Sequence, residues 1–427
     1  MALGKSMDRR GFLLRAMAAA GVLTVGPRAF ASINEATRAV HGWERLRAMN
    51  PQLIHALRAG LEPPDANGIR LPAGFSSRVV ARTGQPPVAG GSYSWHRAPD
   101  GGATFATSDG GWIYVSNAEV GSAQGGCGAL RFNAAGDVVD AYSILSGTSS
   151  NCAGGATPWG TWISCEETDS GHSWECDPYG VRPAVKRAAL GTFKHEAIAV
   201  DPVAQRVYLT EDQSSGRFYR FTPAAYPDFG TGLLEVAEAV GADENVPRAV
   251  TWHAVPNPNP DLALGQTATR LQVAQSTVFK GGEGIYFHNG IVFFTTKGDN
   301  RVYAYDTRSG MIEIFYDDAW FAQPELTGVD NLIVDAKGFV YVAEDGGNLQ
   351  LVLLAPEGQV LPFLQVVGQD SSEIAGPAFS PDGSRLYFSS QRGTTGQSSG
   401  GITYEISGPF YAGDMILQSG FEPRIAQ

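Results

Sequence analysis

The sequence predicts an all-β, six-bladed β-propeller that follows an N-terminal helical segment. The 427-residue chain contains 53 glycines and 25 prolines, a composition typical of many short strands joined by tight turns. Between residues 74 and 408 an apolar strand, an Asp-x-x-Gly type of turn and a strand rich in Tyr, Val and Phe recur. Two of these units start 46 residues apart, at Asp330 and Gly376, and propeller blades recur at roughly 40 to 50 residues. A large β-sandwich is the alternative, and the periodicity favours the propeller.

Residues 1–31 are predicted to form an export signal. A twin-arginine signature at Ser6 to Leu14 precedes an apolar run, Ala16 to Val25, and a small-x-small cleavage site, Ala29-Phe30-Ala31. The apolar run is too short to span a bilayer, and no later stretch approaches 18 apolar residues. We therefore predict cleavage after Ala31 by way of the twin-arginine export machinery, a periplasmic or secreted location, and no stable membrane span.

The next segment, residues 32–73, is predicted to be helical. Apolar residues recur there at three- and four-residue steps, in Ala36 to Leu46 and in Pro51 to Leu61. The propeller domain is predicted to cover residues 74–427. We expect it to carry an insertion at about residues 223–275, which contains the loop sequence Pro256-Asn257-Pro258-Asn259-Pro260.

The charge of the chain excludes some classes of partner. The formal net charge is -12, and the signal segment carries +4, so the remainder carries -12 - 4 = -16. Such a surface argues against binding to nucleic acid or to an anionic membrane. An anionic substrate would need bound cations to approach it. We expect a monomer that acts on a small molecule.

Cys152 and Cys165 lie on either side of a β-forming stretch, Thr161 to Ser164. Glu166 and Glu167 follow Cys165 directly. Successive side chains of a strand point to opposite faces, so Cys165 and Glu167 are expected to share one face. A thiolate and a carboxylate buried together favour a metal ion between them, and a core cysteine beside surface glutamates is the alternative. The four cysteines also permit disulfides, as Cys127–Cys176 or Cys152–Cys165, and the sequence does not decide between thiols and bridges.

Acids and amides recur at equivalent strand ends of the predicted repeats. In a propeller such positions meet around the central channel, where many carboxylates repel unless a cation neutralises them. Oxygen ligands suit Ca²⁺, whereas carboxylates with a thiolate can hold iron or zinc. For each acid taken singly, a solvated side chain is the alternative. The set is Asn117, Glu119, Glu166, Glu167, Glu196, Glu211, Asp212, Glu283, Asp330, Asn331, Glu344, Asp345 and Glu373.

Two basic residue types in the same region have weaker support. Lys194 is a candidate for contact with an anion, although a surface lysine is the commoner role. His195 is expected to be a packed or hydrogen-bonded histidine rather than a ligand. No G-x-S-x-G, P-loop or H-E-x-x-H motif occurs, so serine-hydrolase, NTPase and zincin functions lack support.

At these residues the sequence resembles the PhoX family of secreted alkaline phosphatases, which have a six-bladed propeller. The resemblance covers most of residues 75–408, and its most specific part is the run from Asn151 to Glu167. The twin-arginine signal also matches. The other motifs that carry the resemblance are Ser116-Asn117-Ala118-Glu119, Lys194-His195-Glu196-Ala197, Leu209-Thr210-Glu211-Asp212, Glu283-Gly284, Asp330-Asn331 and Glu344-Asp345-Gly346.

The resemblance implies a phosphate-monoester substrate and a cluster of iron and calcium ions, with another divalent metal as an alternative. It implies that the sulfur of Cys152 or Cys165 ligates iron and that Asn117 contacts phosphate. The metal-binding residues assigned in this way, together with the strand-end pattern, are Cys152, Cys165, Glu119, Glu167, Glu196, Glu211, Glu283, Asp330 and Glu344. The candidate catalytic residues are Asn117, Lys194 and Glu283.

The chain departs from the family pattern at one phosphate-binding position. The pattern leads us to expect an arginine two residues before Glu283, where this chain has Gly281 with Lys280 beside it. A lysine is a point charge and does not bind phosphate bidentately. The expected function is a metal-dependent phosphatase. The alternatives are a calcium-dependent propeller lactonase or esterase, and a non-catalytic propeller stabilised by metal.

Overall fold

The computed structural model of the protein describes residues 51–355 and 359–410. The predicted export signal, the predicted helix at Ala36 to Leu46 and residues 411–427 lie outside these ranges. Within them, the predicted helix at Pro51 to Leu61 is present and ends at Ala59. Its residues Leu53 and Leu57 are buried in a hydrophobic cluster. No helix in the described ranges is long and apolar enough to cross a membrane.

The described residues form one α-helix and 26 strands. In chain order these are α1 (Pro51–Ala59), β1 (Ile69–Arg70), β2 (Ser76–Arg82), β3 (Pro99–Ala106), β4 (Trp112–Ala118), β5 (Gly125–Phe132), β6 (Val138–Thr148), β7 (Asn151–Ala156), β8 (Trp162–Glu166), β9 (Ser173–Cys176), β10 (Val185–Lys186), β11 (His195–Asp201), β12 (Arg206–Glu211), β13 (Phe218–Ala225), β14 (Asp228–Val240), β15 (Arg248–Ala254), β16 (Gly282–His288), β17 (Ile291–Thr296), β18 (Arg301–Asp306), β19 (Met311–Asp317), β20 (Val329–Val334), β21 (Val340–Glu344), β22 (Gln350–Ala355), β23 (Gln359–Val366), β24 (Ile374–Phe379), β25 (Arg385–Ser390) and β26 (Ile402–Ser407). Short 3-10 turns occur in the connecting loops.

The strands form antiparallel sheets in a propeller-like arrangement, which confirms the predicted all-β class. Their orders are β3-β4-β5-β6, β10-β9-β8-β7, β11-β12-β13-β14-β15-β19-β18-β17-β16, β1-β23-β22-β21-β20 and β2-β26-β25-β24. The prediction of six separate blades differs from this result, because one sheet has nine strands. Strand β15 pairs with β14 and also with β19, and it thereby joins two four-stranded meanders.

Six strands surround a central channel. In the order β3, β7, β11, β16, β20 and β24 each contacts the next, and β24 contacts β3. The channel contains a cavity of about 390 Å³ lined by residues of all six strands. Glycine permits this close approach: a Cβ atom on Gly284 would lie 2.6 Å from the backbone nitrogen of Leu332 on the neighbouring strand. The inner strands therefore bring residues that are distant in sequence to one axis.

The propeller is closed by strands from opposite ends of the described chain. Strand β2 is the outer strand of the sheet that contains β24, β25 and β26. It pairs antiparallel with β26, from Ser76 opposite Ser407 to Arg82 opposite Ile402. Backbone hydrogen bonds therefore join the beginning of the propeller to its end.

The segment predicted as an insertion at about 223–275 is only partly a loop. Pro223 lies in β13, and β14 and β15 occupy residues 228–240 and 248–254. The sequence from Pro256 to Pro260 is irregular, as its prolines and asparagines predict. The inserted chain thus contributes the 13-residue strand β14 and the bridging strand β15 of the nine-stranded sheet.

Candidate metal centre

Each of the six inner strands interrupts its pairing at a bulge near its start. At five of the six bulges the first residue is an acid or a cysteine. The bulged pairs are Asp100-Gly101, Cys152-Ala153, Glu196-Ala197, Glu283-Gly284, Asp330-Asn331 and Gly376-Pro377. Bulges redirect side chains and are common beside functional sites. The residues that line the channel cavity begin immediately after these first residues, which therefore lie at one end of the channel.

A second set of charged residues follows the strand paired with each inner strand. The residue just before each bulge pairs with a residue on the neighbouring strand. We call the residue that follows this partner the second-strand position. For example, Asn151 pairs with Glu166, and Glu167 follows. Five repeats have a charged residue there, namely Glu119, Glu167, Asp212, Lys297 and Asp345. Four acids and one lysine thus surround the acids of the bulges.

Nine side chains come together in what we call the acidic centre. They form four groups in which ligand atoms lie within 4.8 Å of one another. The groups share members, so they make one continuous centre. They are Cys152, Glu167 and Glu196; Glu196, Glu283 and Asp330; Asp330, Asp345 and Glu373; and Asp100, Glu119 and Glu373.

Glu196 is the most strongly constrained member of the acidic centre. Its side chain is 0% exposed, and neither carboxylate oxygen has a hydrogen-bond partner. Oε1 of Glu283 is also buried without a hydrogen bond. Burial, followed by the charges of Glu283 and Glu167, raises the pKa of Glu196 well above its ordinary value. A buried carboxylate without a partner is unfavourable, and a bound cation removes that penalty.

The donor atoms fit a metal centre. Cys152 offers a thiol beside the carboxylates of Glu167 and Glu196, a donor set that suits iron or zinc. The other three groups contain only carboxylates, which suit Ca²⁺ and similar hard cations.

Three cations and one amide border the acidic centre. Nζ of Lys194 lies 2.8 Å from Glu167 and 3.7 Å from Asp212. Lys194, which was predicted to contact an anion, therefore forms ion pairs with these two acids. Lys297 lies close to three acids of the centre. Arg392 lies 3.1 Å from Glu373 and 3.9 Å from Asp345. Gln391 donates hydrogen bonds to Asp100 and Glu119.

Cys165 does not join the acidic centre, which corrects its assignment as a metal ligand and the expectation that it shares one face with Glu167. Its side chain is 0% exposed in a hydrophobic cluster with Ile163 and Leu209. The alternation argument fails because β8 ends at Glu166, so Glu167 lies beyond the regular strand. All four cysteines are free thiols in the structure, and Cys152 is the one that meets the acids.

Asn117 is placed where it supports Cys152 instead of contacting a substrate. Its amide nitrogen donates to the carbonyl oxygens of Cys152 and Ala153, at 3.1 and 2.7 Å. Its carbonyl oxygen accepts from Trp162 and Ser164, at 2.9 and 2.8 Å. These four hydrogen bonds use the full capacity of the buried side chain, so the predicted phosphate contact is not available to it.

Glu211 and Glu344 also lie apart from the groups of the acidic centre. Glu211 accepts a hydrogen bond from Tyr219 at 2.8 Å and pairs with Arg270 at 3.3 Å. Glu344 accepts the backbone N–H groups of Thr327 and Gln350, at 2.8 and 2.9 Å. Side chains thus satisfy the carboxylate of Glu211, and backbone N–H groups satisfy that of Glu344. The predicted metal ligation by both is therefore not supported by their positions.

His195 lies where the sequence predicts, whereas several residues at the acidic centre were not predicted. His195 is buried and hydrogen-bonded to the carbonyl of Gly191, as expected for a packed histidine. Asp100 and Lys297 are missing from the sequence-based assignment. Asp100 precedes glycine at the start of an inner strand, as Glu283 does, so aligning the repeats on this pattern would have identified it.

The acidic centre predicts an unusual pH dependence for protein stripped of metal by a chelator. Burial is the main cause that raises the pKa of Glu167 from 4.5 to about 7, and burial also raises the pKa of Glu373 above its ordinary value. The folded protein therefore keeps protons that the unfolded chain releases, so stability falls as pH rises from about 4.5 through about 7. We expect the melting temperature of stripped protein to be lower at pH 8 than at pH 5, with a smaller difference after metal is restored. Equal melting temperatures of stripped protein at both values would contradict this.

The chain resembles known proteins in both sequence and fold. The family model for alkaline phosphatase PhoX matches residues 125–176 and 169–319. The fold is similar to Pseudomonas fluorescens PhoX in complex with vanadate, a transition state analogue, with a TM-score of 0.66 and 17% identity over 82% of this chain and 97% of that chain. No curated protein sequence matches the chain.

Two further solved structures are less similar and carry no weight for function. One is a protein of unknown function from Bacteroides thetaiotaomicron, with a TM-score of 0.47 and 10% identity over 81% of this chain and 83% of that one. The other is a gluconolactonase from Xanthomonas campestris, with a TM-score of 0.44 and 12% identity over 82% of this chain and 97% of that one.

Proposed function

This chain belongs to the PhoX family of alkaline phosphatases, and we propose that it is an exported, metal-dependent phosphatase that hydrolyses phosphate monoesters at the acidic centre. The observation that carries the proposal is Glu196, a fully buried carboxylate with no hydrogen-bond partner, at the junction of two groups of candidate ligands. Such a residue is stabilised when a cation is bound.

We assign the ions by their donor atoms. Iron suits the group of Cys152, Glu167 and Glu196, because it combines a thiolate with carboxylates. Calcium suits the groups that contain only carboxylates. Metal bound here would polarise the phosphoryl oxygens and activate or clamp the nucleophile.

The protein's own residues orient this centre and attract the substrate. Asn117 holds the backbone of Cys152 through its two donated hydrogen bonds. The side chains of Lys194, Lys297 and Arg392 are 24%, 36% and 33% exposed, so they present positive charge at the border of the centre. Together with bound metal cations, these side chains would let a phosphate ester approach a protein whose formal net charge is -12.

We also propose the number of blades, the export route, the location and the oligomeric state of the protein. We count the nine-stranded sheet as two blades joined by β15, which makes six blades around the six inner strands. We propose twin-arginine export with cleavage after Ala31, a periplasmic or secreted location, and a monomeric protein.

Turnover of p-nitrophenyl phosphate tests the proposed activity. Protein purified after native export is expected to contain iron and calcium by elemental analysis and to release p-nitrophenol. Prolonged treatment with a chelator is expected to abolish turnover, and restoring the ions is expected to recover it. Tightly held metal without phosphate release would overturn the proposal, and turnover of a lactone instead would indicate a propeller lactonase.

A further inference from the structure

Lys297 is the only cation among the five charged second-strand positions of the described repeats. Its Nζ lies 2.9 Å from Oδ2 of Asp345, 3.3 Å from Oδ2 of Asp330 and 3.6 Å from Oε1 of Glu283. At 3.6 Å the approach to Glu283 is an ion pair without a hydrogen bond, and Oε1 of Glu283 has no other partner. One ammonium group thus forms ion pairs with three carboxylates.

These carboxylates are also candidate metal ligands. Glu283 and Asp330 belong to the group completed by Glu196, and Asp330 and Asp345 belong to the group completed by Glu373. An ammonium and a divalent cation held by the same buried oxygens lie within a few ångströms of each other and repel strongly. Binding of metal to either group therefore weakens the hold of these acids on Lys297.

The burial of the three acids gives the direction in which the ammonium can move. The side chains of Glu283 and Asp330 are 2% and 9% exposed, whereas that of Asp345 is 28% exposed. The side chain of Lys297 itself is 36% exposed. An ammonium displaced from the two buried acids therefore keeps its shortest contact, with Asp345, at the more exposed side of the centre.

The backbone of Lys297 is fixed, so only its side chain is free to respond. Its N–H donates to the carbonyl of Gly281 at 2.8 Å, and the N–H of Gly298 donates to the carbonyl of Lys280 at 2.9 Å. The flexible four-carbon stem of lysine allows its charge to change position without movement of the strand.

We propose that Lys297 is displaced by a divalent cation from Glu283 and Asp330 and then binds the anionic phosphoryl group of the substrate. The inference rests on the proposed phosphatase function for its second half. Its first half, competition between the ammonium and metal, depends only on the acidic centre. Lys297 thus neutralises the centre before metal binds and holds the substrate after metal binds.

Calcium titration of chelator-treated protein tests the competition. Lys297→Met is expected to bind Ca²⁺ at least about tenfold more tightly by calorimetry, because no ammonium has to be displaced, and Lys297→Arg is expected to keep most of the competition. The matched control is Lys280→Met, since Lys280 is exposed and a backbone neighbour of the same turn. Should the methionine variant fail to fold, Lys297→Gln makes the same comparison. An unchanged calcium affinity in the folded variant would overturn the competition.

Binding of inorganic phosphate to the metal-loaded protein tests the second half. Lys297→Met is expected to weaken phosphate binding at least about tenfold relative to wild type and to Lys280→Met, with Lys297→Arg in between. Wild-type affinity in the loaded methionine variant would overturn this role while wild-type turnover still supported the phosphatase. Absence of phosphate binding and of turnover in the wild type would instead refute the proposed function, and with it the role of Lys297 toward phosphate.

Discussion

Replacing Glu196 by glutamine is expected to reduce phosphatase activity at least about 100-fold and to lower the metal content of the purified protein. Even residues that only support metal ligands change affinity or activity by about 10- to 100-fold when mutated. Glu196 itself belongs to two candidate ligand groups and has two carboxylate oxygens without any other partner. Glutamine keeps the shape of the side chain but removes the negative charge that the cation requires. Turnover of p-nitrophenyl phosphate and elemental analysis measure the two effects.

A matched variant, Glu344→Gln, distinguishes the loss of a metal ligand from the loss of a buried carboxylate. Glu344 is also fully buried at the end of a strand, but its oxygens accept backbone hydrogen bonds outside the acidic centre. Glu344→Gln is expected to lower stability by roughly 1–3 kcal/mol, because one backbone N–H loses its acceptor, and to keep the metal content. A Glu196→Gln protein with wild-type metal and turnover would disprove the assignment of Glu196.

The second large effect is expected from one cysteine and not from the other. Cys152→Ala is expected to remove the thiolate donor, lower the iron content and reduce activity at least about 100-fold, since Cys152 meets Glu167 and Glu196. Cys165→Ala is expected to keep metal and activity, because Cys165 lies in a hydrophobic cluster. Elemental analysis, turnover and thermal unfolding of both variants measure the contrast.

Each cysteine variant also serves as the experimental control for the other. Cys165→Ala is expected to lose roughly 1 kcal/mol of stability, comparable to removing one buried methylene-sized group. If Cys165→Ala lost iron while Cys152→Ala retained it, the placement of the ligands in the acidic centre would be wrong.

The general architecture could be predicted from the sequence because it depends on local patterns. Strand–turn–strand units repeat along the chain, and the inner strands of a propeller necessarily meet around one axis. The convergence of Cys152, Glu196, Glu283 and Asp330 follows from these two facts, and the structure brings all four into the acidic centre.

The parts that could not be predicted depend on where regular pairing stops. The bulge at Glu283-Gly284 was not predicted, because no residue pattern of a single strand reveals such an interruption of pairing. The end of β8 at Glu166 separates Cys165 from Glu167 in the same way. The bridging role of β15 and the contacts of Asn117 depend on neighbours that are distant in sequence, so local propensity does not report them.

The pairing of β2 with β26 also limits when the propeller ring can close during biosynthesis. Because Ser76 pairs with Ser407, the ring cannot close until the chain has been synthesised through β26. Contacts over such a long sequence separation form slowly. Any metal of the acidic centre is therefore expected to bind after β26 has been synthesised, and a truncated chain that lacks β26 is expected to lack the closed ring that assembles the centre.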